Sequence, residues 1–294
     1  MKFLPLLIAG LVFLLSGLPA QAQVKSLLYK EEKRRYLLYT PASYQTQSDK
    51  KFPLVLNFHG GGMSMAEQML YTQMNQAADQ FGYIVVYPQG IKQDWNVGFG
   101  MSYLEGTDDT GFVLALLAKL KESLRINEQA VFVSGLSRGG FFSLRLAAEY
   151  PQLFKAAAAV GATMPLPVLQ HHPEHGANNI LLIQGEADQI VLAAGKDQAY
   201  LSAEASYQHW LNKAQLQSAS EQVEQRDQRA DDGTSLTLRS RANTKHRVSL
   251  ISLAGAGHTW PGADAFNLGL PLGKTSYELN ANQTIFEFFN STLR

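Results

Sequence analysis

Hydrophobic positions along the 294-residue chain gather into short unbroken runs, separated by longer stretches with helical spacing. Two β-rich runs come first, at 26–29 and 36–40, the second closed by Pro41. Residues 53–58 read as a buried strand ending on His59-Gly60-Gly61-Gly62. A helical stretch follows over about 65–81, and the strand 83–87 is stopped by Pro88. Asp108 and Asp109 precede Phe112, Val113, Leu116, Leu117 and Leu120, whose three- and four-residue spacing predicts an amphipathic helix with two acidic start residues. Then come the strand 130–133, the helix 141–150 ended by Pro151, and the strands 156–160 and 180–183. From about 214 to 246 the chain is rich in Gln, Arg, Asp and Ser, which predicts an exposed excursion before the strand 248–253. The last apolar positions, Ile285, Phe286, Phe288 and Phe289, mark a terminal amphipathic helix over 279–290.

Strands that are apolar throughout belong to a parallel sheet covered on both faces, and their alternation with helices predicts an α/β fold. No repeat or linker divides the chain, so residues 23–294 are expected to form one catalytic-sized domain. The first 22 residues read as a signal peptide: Lys2, an apolar run over 3–15, and Ala20-Gln21-Ala22 as a small-x-small cleavage site. Pro5 and Gly10 interrupt that run, which is short of the roughly 20 residues a membrane span needs. An exported product, periplasmic or extracellular and without a membrane span, is the expectation.

Composition narrows the chemistry. With 25 basic and 25 acidic residues the chain has no electrostatic footprint for nucleic acid, and 46% hydrophobic residues exclude a disordered chain. It has no cysteine, which removes disulfides, iron–sulfur clusters, thiolate zinc and a cysteine nucleophile.

Against that background Gly135-Leu136-Ser137-Arg138-Gly139 is a G-x-S-x-G motif. The pattern alone is weak, but it sits between an apolar strand and a helix, the setting of a nucleophile elbow. The HGGG turn after an earlier strand could aim a backbone N–H near Gly61 at a developing oxyanion, with the N–H of Arg138 as the second donor. A phosphate cradle is the competing reading of that turn, but neither a following Lys-Ser/Thr nor a G-x-G-x-x-G spacing supports it. A serine hydroxyl needs a base, and His258 lies in a glycine-rich loop, Gly255 to Gly262, after the strand 248–253. Asp188 follows the strand 180–183 and gives the order Ser…Asp…His; Glu186 is its nearest competitor. His171, His172 and His175 form an HHPEH cluster read as a solvated loop rather than metal ligands, and His209 and His246 carry no motif. Trp95, Tyr103 and Trp260 are candidates for an aromatic wall around a substrate, with core packing an equal reading for the first two. No metal or organic cofactor is called for.

The motifs HGGG, WNVG (95–98), DDTGF (108–112), GLSRGG, GEADQIV and GHTWPG occur in the order seen in esterases similar to polyhydroxybutyrate depolymerases, a group overlapping with feruloyl and acetyl-xylan esterases. The resemblance runs from about Tyr36 to Phe289. It implies an α/β-hydrolase with a triad of Ser137, Asp188 and His258, acting on ester substrates. Two departures stand out. Arg138 occupies a position where the family often has Asn or Ala, placing a cation beside the serine that suits an acidic or hydroxyl-rich substrate. Secreted polymer-degrading members tend to carry cysteines and a binding module, and this sequence shows neither, which favours soluble or oligomeric esters. The function expected is therefore an exported serine carboxylic-ester hydrolase acting on hydroxyalkanoate oligomers or on feruloyl or acetyl esters of plant polysaccharide. A peptidase of the same fold and a non-catalytic carbohydrate- or polymer-binding protein are the alternatives, and the sequence leaves the oligomeric state open.

Overall fold

A computed structural model of the chain describes residues 22–229, 231–264 and 270–293; the expected signal peptide, apart from Ala22, lies outside them. The chain opens with an antiparallel hairpin of β1 (Gln23–Tyr29) and β2 (Glu32–Tyr39). Lys30 and Glu31 turn it, both at positive φ (46° and 66°), as the tight turns matching strand twist require. There follow α1 (Ala42–Thr46), β3 (Phe52–Phe58), α2 (Met65–Thr72), α3 (Met74–Phe81), β4 (Ile84–Pro88), α4 (Asp109–Ser123) and β5 (Ile126–Leu136). The second half contributes α5 (Arg138–Glu149), β6 (Ala156–Val160), α6 (Leu166–His171), β7 (Asn179–Gly185), α7 (Ala203–Lys213), β8 (Gln222–Arg226), β9 (Ser235–Ala242), β10 (Arg247–Ala254) and α8 (Ala281–Ser291).

All ten strands join one sheet in the order β1-β2-β4-β3-β5-β6-β7-β10-β9-β8. The six inner strands, β4 to β10, run parallel, and antiparallel pairs close each side. The unbroken apolar strands of the sequence are explained by two cores, one per face. Alternate residues Leu54, Leu56, Val131, Val133, Ala157, Ala159 and Leu182 pack under α4, α5 and α7. Their neighbours Val55, Phe132, Ala158, Leu181, Ile183 and Ile251 pack under α2, α3 and α8. Each position therefore removes apolar area from water whichever face it meets. Among the described residues no helix is long and apolar enough to cross a membrane.

The structure departs from the sequence reading in three places. The stretch 65–81 is two helices, because Gln73 adopts the left-handed conformation (φ 50°) and ends α2. The first of them is capped by Ser64, whose side chain accepts from the Glu67 N–H while Glu67 reaches back to the Ser64 N–H. The region 214–246 is no excursion: it supplies β8 and β9, which extend the sheet beyond β10. Their polar composition belongs to an edge, where charge discourages further pairing; Arg239 bridges Glu204 (2.5 Å) and Glu221 (3.2 Å). Finally, β5 and α5 are both longer than expected. Asn127, Glu128 and Gln129 hide the start of the strand, and glycines hide the first turn of the helix.

This topology does one thing for function. Strands β3, β5, β7 and β10 are parallel, so the loops leaving their C-terminal ends lie along one edge of the sheet, where ligands of open α/β sheets bind. Those loops carry His59 to Gly62, Ser137, Asp188 and His258.

Candidate active site

Ser137 stands between β5 and α5 with φ 54° and ψ −119°, a conformation that costs a residue with a side chain of order 1–3 kcal/mol. It is held there because its N–H donates to Val160 O (2.8 Å) and its carbonyl accepts from Phe141 N (2.9 Å). The G-x-S-x-G pattern has a steric cause. A Cβ at Gly139 would collide with the carbonyl oxygens of Phe58 and His59, so only glycine lets α5 start against the end of β3.

Asp188 and His258 meet across the loops after β7 and β10. His258 Nδ1 lies 2.6 Å from Asp188 Oδ2, and both side chains are buried. A carboxylate can only accept, so Nδ1 carries the proton and Nε2 is the ring nitrogen left for other chemistry. Asp188 is fixed by its second oxygen, which accepts from the N–H groups of Ile190 and Val191 (both 2.8 Å), while Gln184 Nε2 approaches Oδ2 at 3.3 Å. Glu186, the competing acid, is exposed. Behind the imidazole, Gly161 sits at φ 58°, and a Cβ there would press on the ring, 3.0 Å from His258 Cε1 and Nδ1.

The HGGG turn packs against the serine loop. An atom at the Cβ position of Gly60 would lie 3.7 Å from Ser137 Cβ, and one at Gly61 would lie 3.7 Å from Arg138 Cβ. Within the turn, Gly62 N–H donates to Gln93 O (2.8 Å) and Met63 N–H to Gly60 O (3.1 Å). Among the described residues, the N–H groups of Gly61 and Arg138 donate to no protein acceptor. His59 anchors the turn: its Nδ1–H donates to Gly60 O (2.8 Å) and its Nε2 accepts from Gly90 N (2.9 Å). Burial pushes its imidazole down to about 4, so it works as a neutral ring.

That neutral ring carries a pH signature. An unfolded His59 takes up a proton near pH 6.5, whereas the folded one resists until about 4. Between those values the unfolded chain binds more protons, so stability is complete above about 6.5 and is lost as the pH falls toward 4. Chemical denaturation should show about 2 kcal/mol less stability at pH 5 than at pH 7 from this group alone. His209, also pushed down to about 4 by burial, acts in the same direction. Equal stability at the two pH values would contradict a buried neutral His59.

Ser137, Arg138, His258, Gly60 and Gly61 line one cavity of about 280 Å³. Its walls are largely apolar and aromatic: Phe99, Phe141 and Tyr200 on one side, with Met63, Tyr71, Ile190 and Val191 among the other lining residues. The three aromatic residues expected at this site lie elsewhere. Trp95 is fully buried, stacked on Phe142 (5.0 Å, 9°), and its indole N–H donates to His59 O (3.0 Å), making it a strut beneath the glycine turn. Tyr103 stacks on His171 (4.2 Å, 6°) and bonds Glu149. Trp260 is buried, with Nε1 donating to Asn282 Oδ1 (3.1 Å), and faces a separate groove. Of the residues that do line the cavity, Phe99 follows WNVG, and Ile190 and Val191 end GEADQIV.

Arg138 is less available than its place beside Ser137 suggests. Its Nε pairs with Asp94 (2.9 Å), and Nη1 donates to Phe99 O (3.0 Å). The two helix-start acids also divide their tasks. Asp108 caps α4 through Gly111 N (3.0 Å), whereas buried Asp109 pairs with Arg34 (2.9 Å) and accepts from Asn96 N and Thr107 Oγ1, tying down the 95–107 loop. The HHPEH segment is not uniformly solvated: His175 is buried, its Nε2 2.8 Å from His209 Nε2. Among the described residues no group of three or more His, Asp or Glu could hold a metal ion.

Comparison with known proteins adds a family. The family described as "Putative esterase" matches residues 29–250. "Putative esterase NocK" of Nocardia uniformis subsp. tsuyamanensis is 29% identical over 254 residues, 80% of this chain and 73% of that protein. "Feruloyl esterase B" of Neurospora crassa is 27% identical over 165 residues, 49% of this chain and 55% of that one, so the match spans about half of that relative. Among solved structures, the acetyl xylan esterase from Aspergillus awamori superposes with a TM-score of 0.64 at 13% identity, covering 91% of this chain and 99% of its own, a likeness of fold.

Proposed function

Because the chain belongs to that esterase family and is thus a carboxylic ester hydrolase of α/β-hydrolase fold, we propose that it works through Ser137, His258 and Asp188 on soluble esters with acyl groups larger than acetyl. The observation that carries this reading is the convergence of Ser137, the unengaged Gly61 and Arg138 amides, and the Asp188-bound His258 on one apolar cavity.

Each part has a defined task. His258 Nε2 takes the Ser137 proton as the hydroxyl oxygen attacks the ester carbonyl. Negative charge moves onto the carbonyl oxygen, where the N–H groups of Gly61 and Arg138 stabilise it; one such donor typically contributes about 2.7–4 kcal/mol to the transition state. His258 returns the proton to the departing alcohol, then activates water to release the acid from the acyl-enzyme. Asp188 keeps the ring in the tautomer that can accept and stabilises it when charged. Residues 23–294 act as one catalytic domain, a reading supported by the single sheet, and residues 1–22 support export.

A cavity of about 280 Å³ walled by Phe99, Phe141 and Tyr200 has far more apolar surface than an acetyl group can cover. This favours acyl groups of the feruloyl kind, named in the Neurospora crassa relative, over acetyl. Acyl groups compared on one leaving group test the point. 4-Nitrophenyl butyrate should exceed 4-nitrophenyl acetate about ten-fold in kcat/KM, since two buried methylenes contribute about 1.6 kcal/mol, and 4-nitrophenyl ferulate should have the lowest KM. A preference for acetate would reassign the enzyme to acetyl esters. Cleavage of peptide amides at comparable rates would make it a peptidase.

A further inference from the structure

The wall of the cavity after Asp188 holds a cation that the hydrolytic steps do not use. We propose that Lys196 selects esters bearing a carboxylate a short chain away from the scissile bond, such as half-esters of dicarboxylic acids or carboxylate-terminated oligoesters of hydroxy acids. The proposal rests on the ester-hydrolase reading of Ser137 and adds a substrate class to it.

Among the residues lining the cavity, Arg138 and Lys196 carry a permanently cationic side chain. Arg138 is neutralised by Asp94 (2.9 Å) and its guanidinium is further occupied by Phe99 O and by the Phe99 ring, 4.7 Å away. Lys196 has no carboxylate within ion-pair distance among the described residues. Asp188, behind His258, is buried and engaged by that imidazole, so it does not answer Lys196.

Lys196 is also mounted on a rigid platform rather than a loose surface loop. Its N–H donates to Tyr200 O (3.0 Å) and its carbonyl accepts from Tyr200 N (3.0 Å) and Ala199 N (3.1 Å). Tyr200 is pinned in turn, its hydroxyl accepting from Leu192 N (3.2 Å). Leu166 N–H donates to Ala199 O (2.9 Å) and Leu201 N–H to Met164 O (3.0 Å), which ties the segment to the loop after β6. Ile190, Val191, Ala199 and Tyr200 of the same segment form an apolar wall of the cavity, and Lys196 stands exposed at its edge. An apolar pocket with one unanswered cation at its rim complements an ester whose body is apolar and whose far end is anionic. There the ammonium stays hydrated until a carboxylate arrives, so selection costs little desolvation.

Matched ester pairs test this: 4-nitrophenyl butyrate with mono-4-nitrophenyl glutarate, and methyl 3-butyryloxybutyrate with its free acid. The ratio of kcat/KM, anionic over neutral, is the readout. In Lys196→Gln that ratio should fall about three- to five-fold for at least one pair, and Lys196→Arg should restore it. Raising NaCl from 0.05 to 0.5 M should erode the ratio in the natural enzyme but not in Lys196→Gln. Ratios unchanged by Lys196→Gln in both pairs would overturn the proposal, as would a loss shared equally by anionic and neutral members. Fluorophosphonate labelling separates this from failure of the underlying reading. An unlabelled natural enzyme that cleaves none of the four esters would sink the serine-hydrolase assignment itself.

Discussion

Ser137→Ala should lower kcat/KM for 4-nitrophenyl butyrate by about 10⁵–10⁶-fold and abolish fluorophosphonate labelling, while leaving the thermal unfolding temperature nearly unchanged. The expectation that folding survives is specific to this site. The strained backbone at position 137 (φ 54°) burdens alanine and serine alike, because both carry a Cβ. The hydrogen bonds that hold the turn are made by the backbone, from Ser137 N to Val160 O and from Phe141 N to Ser137 O. What the substitution removes is the hydroxyl. A residual rate within 100-fold of the natural enzyme would exclude Ser137 as the attacking group. Ser137→Gly provides a contrast: it should be equally inactive yet more stable than Ser137→Ala, by roughly the 1–3 kcal/mol stored in the turn.

The second large effect belongs to Asp188→Asn, expected to lower kcat by about 10⁴-fold with KM little altered. The surrounding hydrogen bonds dictate which way the new amide must face. Asp188 Oδ1 accepts from both Ile190 N and Val191 N, and two donors demand an acceptor, so the asparagine oxygen takes that place. The asparagine NH₂ is thereby turned toward His258 Nδ1, where the carboxylate Oδ2 sat at 2.6 Å. Nδ1 must then accept, and the ring proton moves to Nε2. The imidazole stays in position but has no lone pair for the Ser137 proton. Asp188→Ala lacks that forced tautomer and should retain more activity relative to its loss of stability. A loss smaller than ten-fold in Asp188→Asn would show that another residue orients His258.

The three proposed positions are legible from sequence for a physical reason. Ser137, Asp188 and His258 each follow a strand buried on both faces, and such strands are the plainest signal a chain carries. The turn residues around them are set by local sterics that glycine alone satisfies, as at Gly139. What escaped was whatever depended on distant parts meeting. Trp95 beside a glycine motif looks like a platform for substrate, but its indole N–H meets the carbonyl of His59, thirty-six positions earlier in the chain, and the ring lies inside. The strands β8 and β9 escaped because an edge needs polar residues, which read as loop. The break at Gln73 escaped because a left-handed residue other than glycine leaves no mark in the sequence. The rim cation Lys196 lies in a segment without motif, and it matters only once the 190–201 fold brings it to the cavity.

The parallel arrangement of β3, β5, β7 and β10 has a consequence in time as well as in space. His59, Ser137, Asp188 and His258 are supplied in chain order, and the last of them follows a strand that begins at Arg247. A fragment ending before residue 258 can hold Ser137, the glycine turn and Asp188, yet it lacks His258, the proposed base. On the proposed triad, hydrolytic competence in a folding chain therefore waits for β10 to dock beside β7 and bring the His258 imidazole to Ser137 and Asp188. Appearance of activity in a refolding experiment thus reports closure of the sheet, and a burst of secondary structure without activity would mark chains whose final parallel strand has yet to pair.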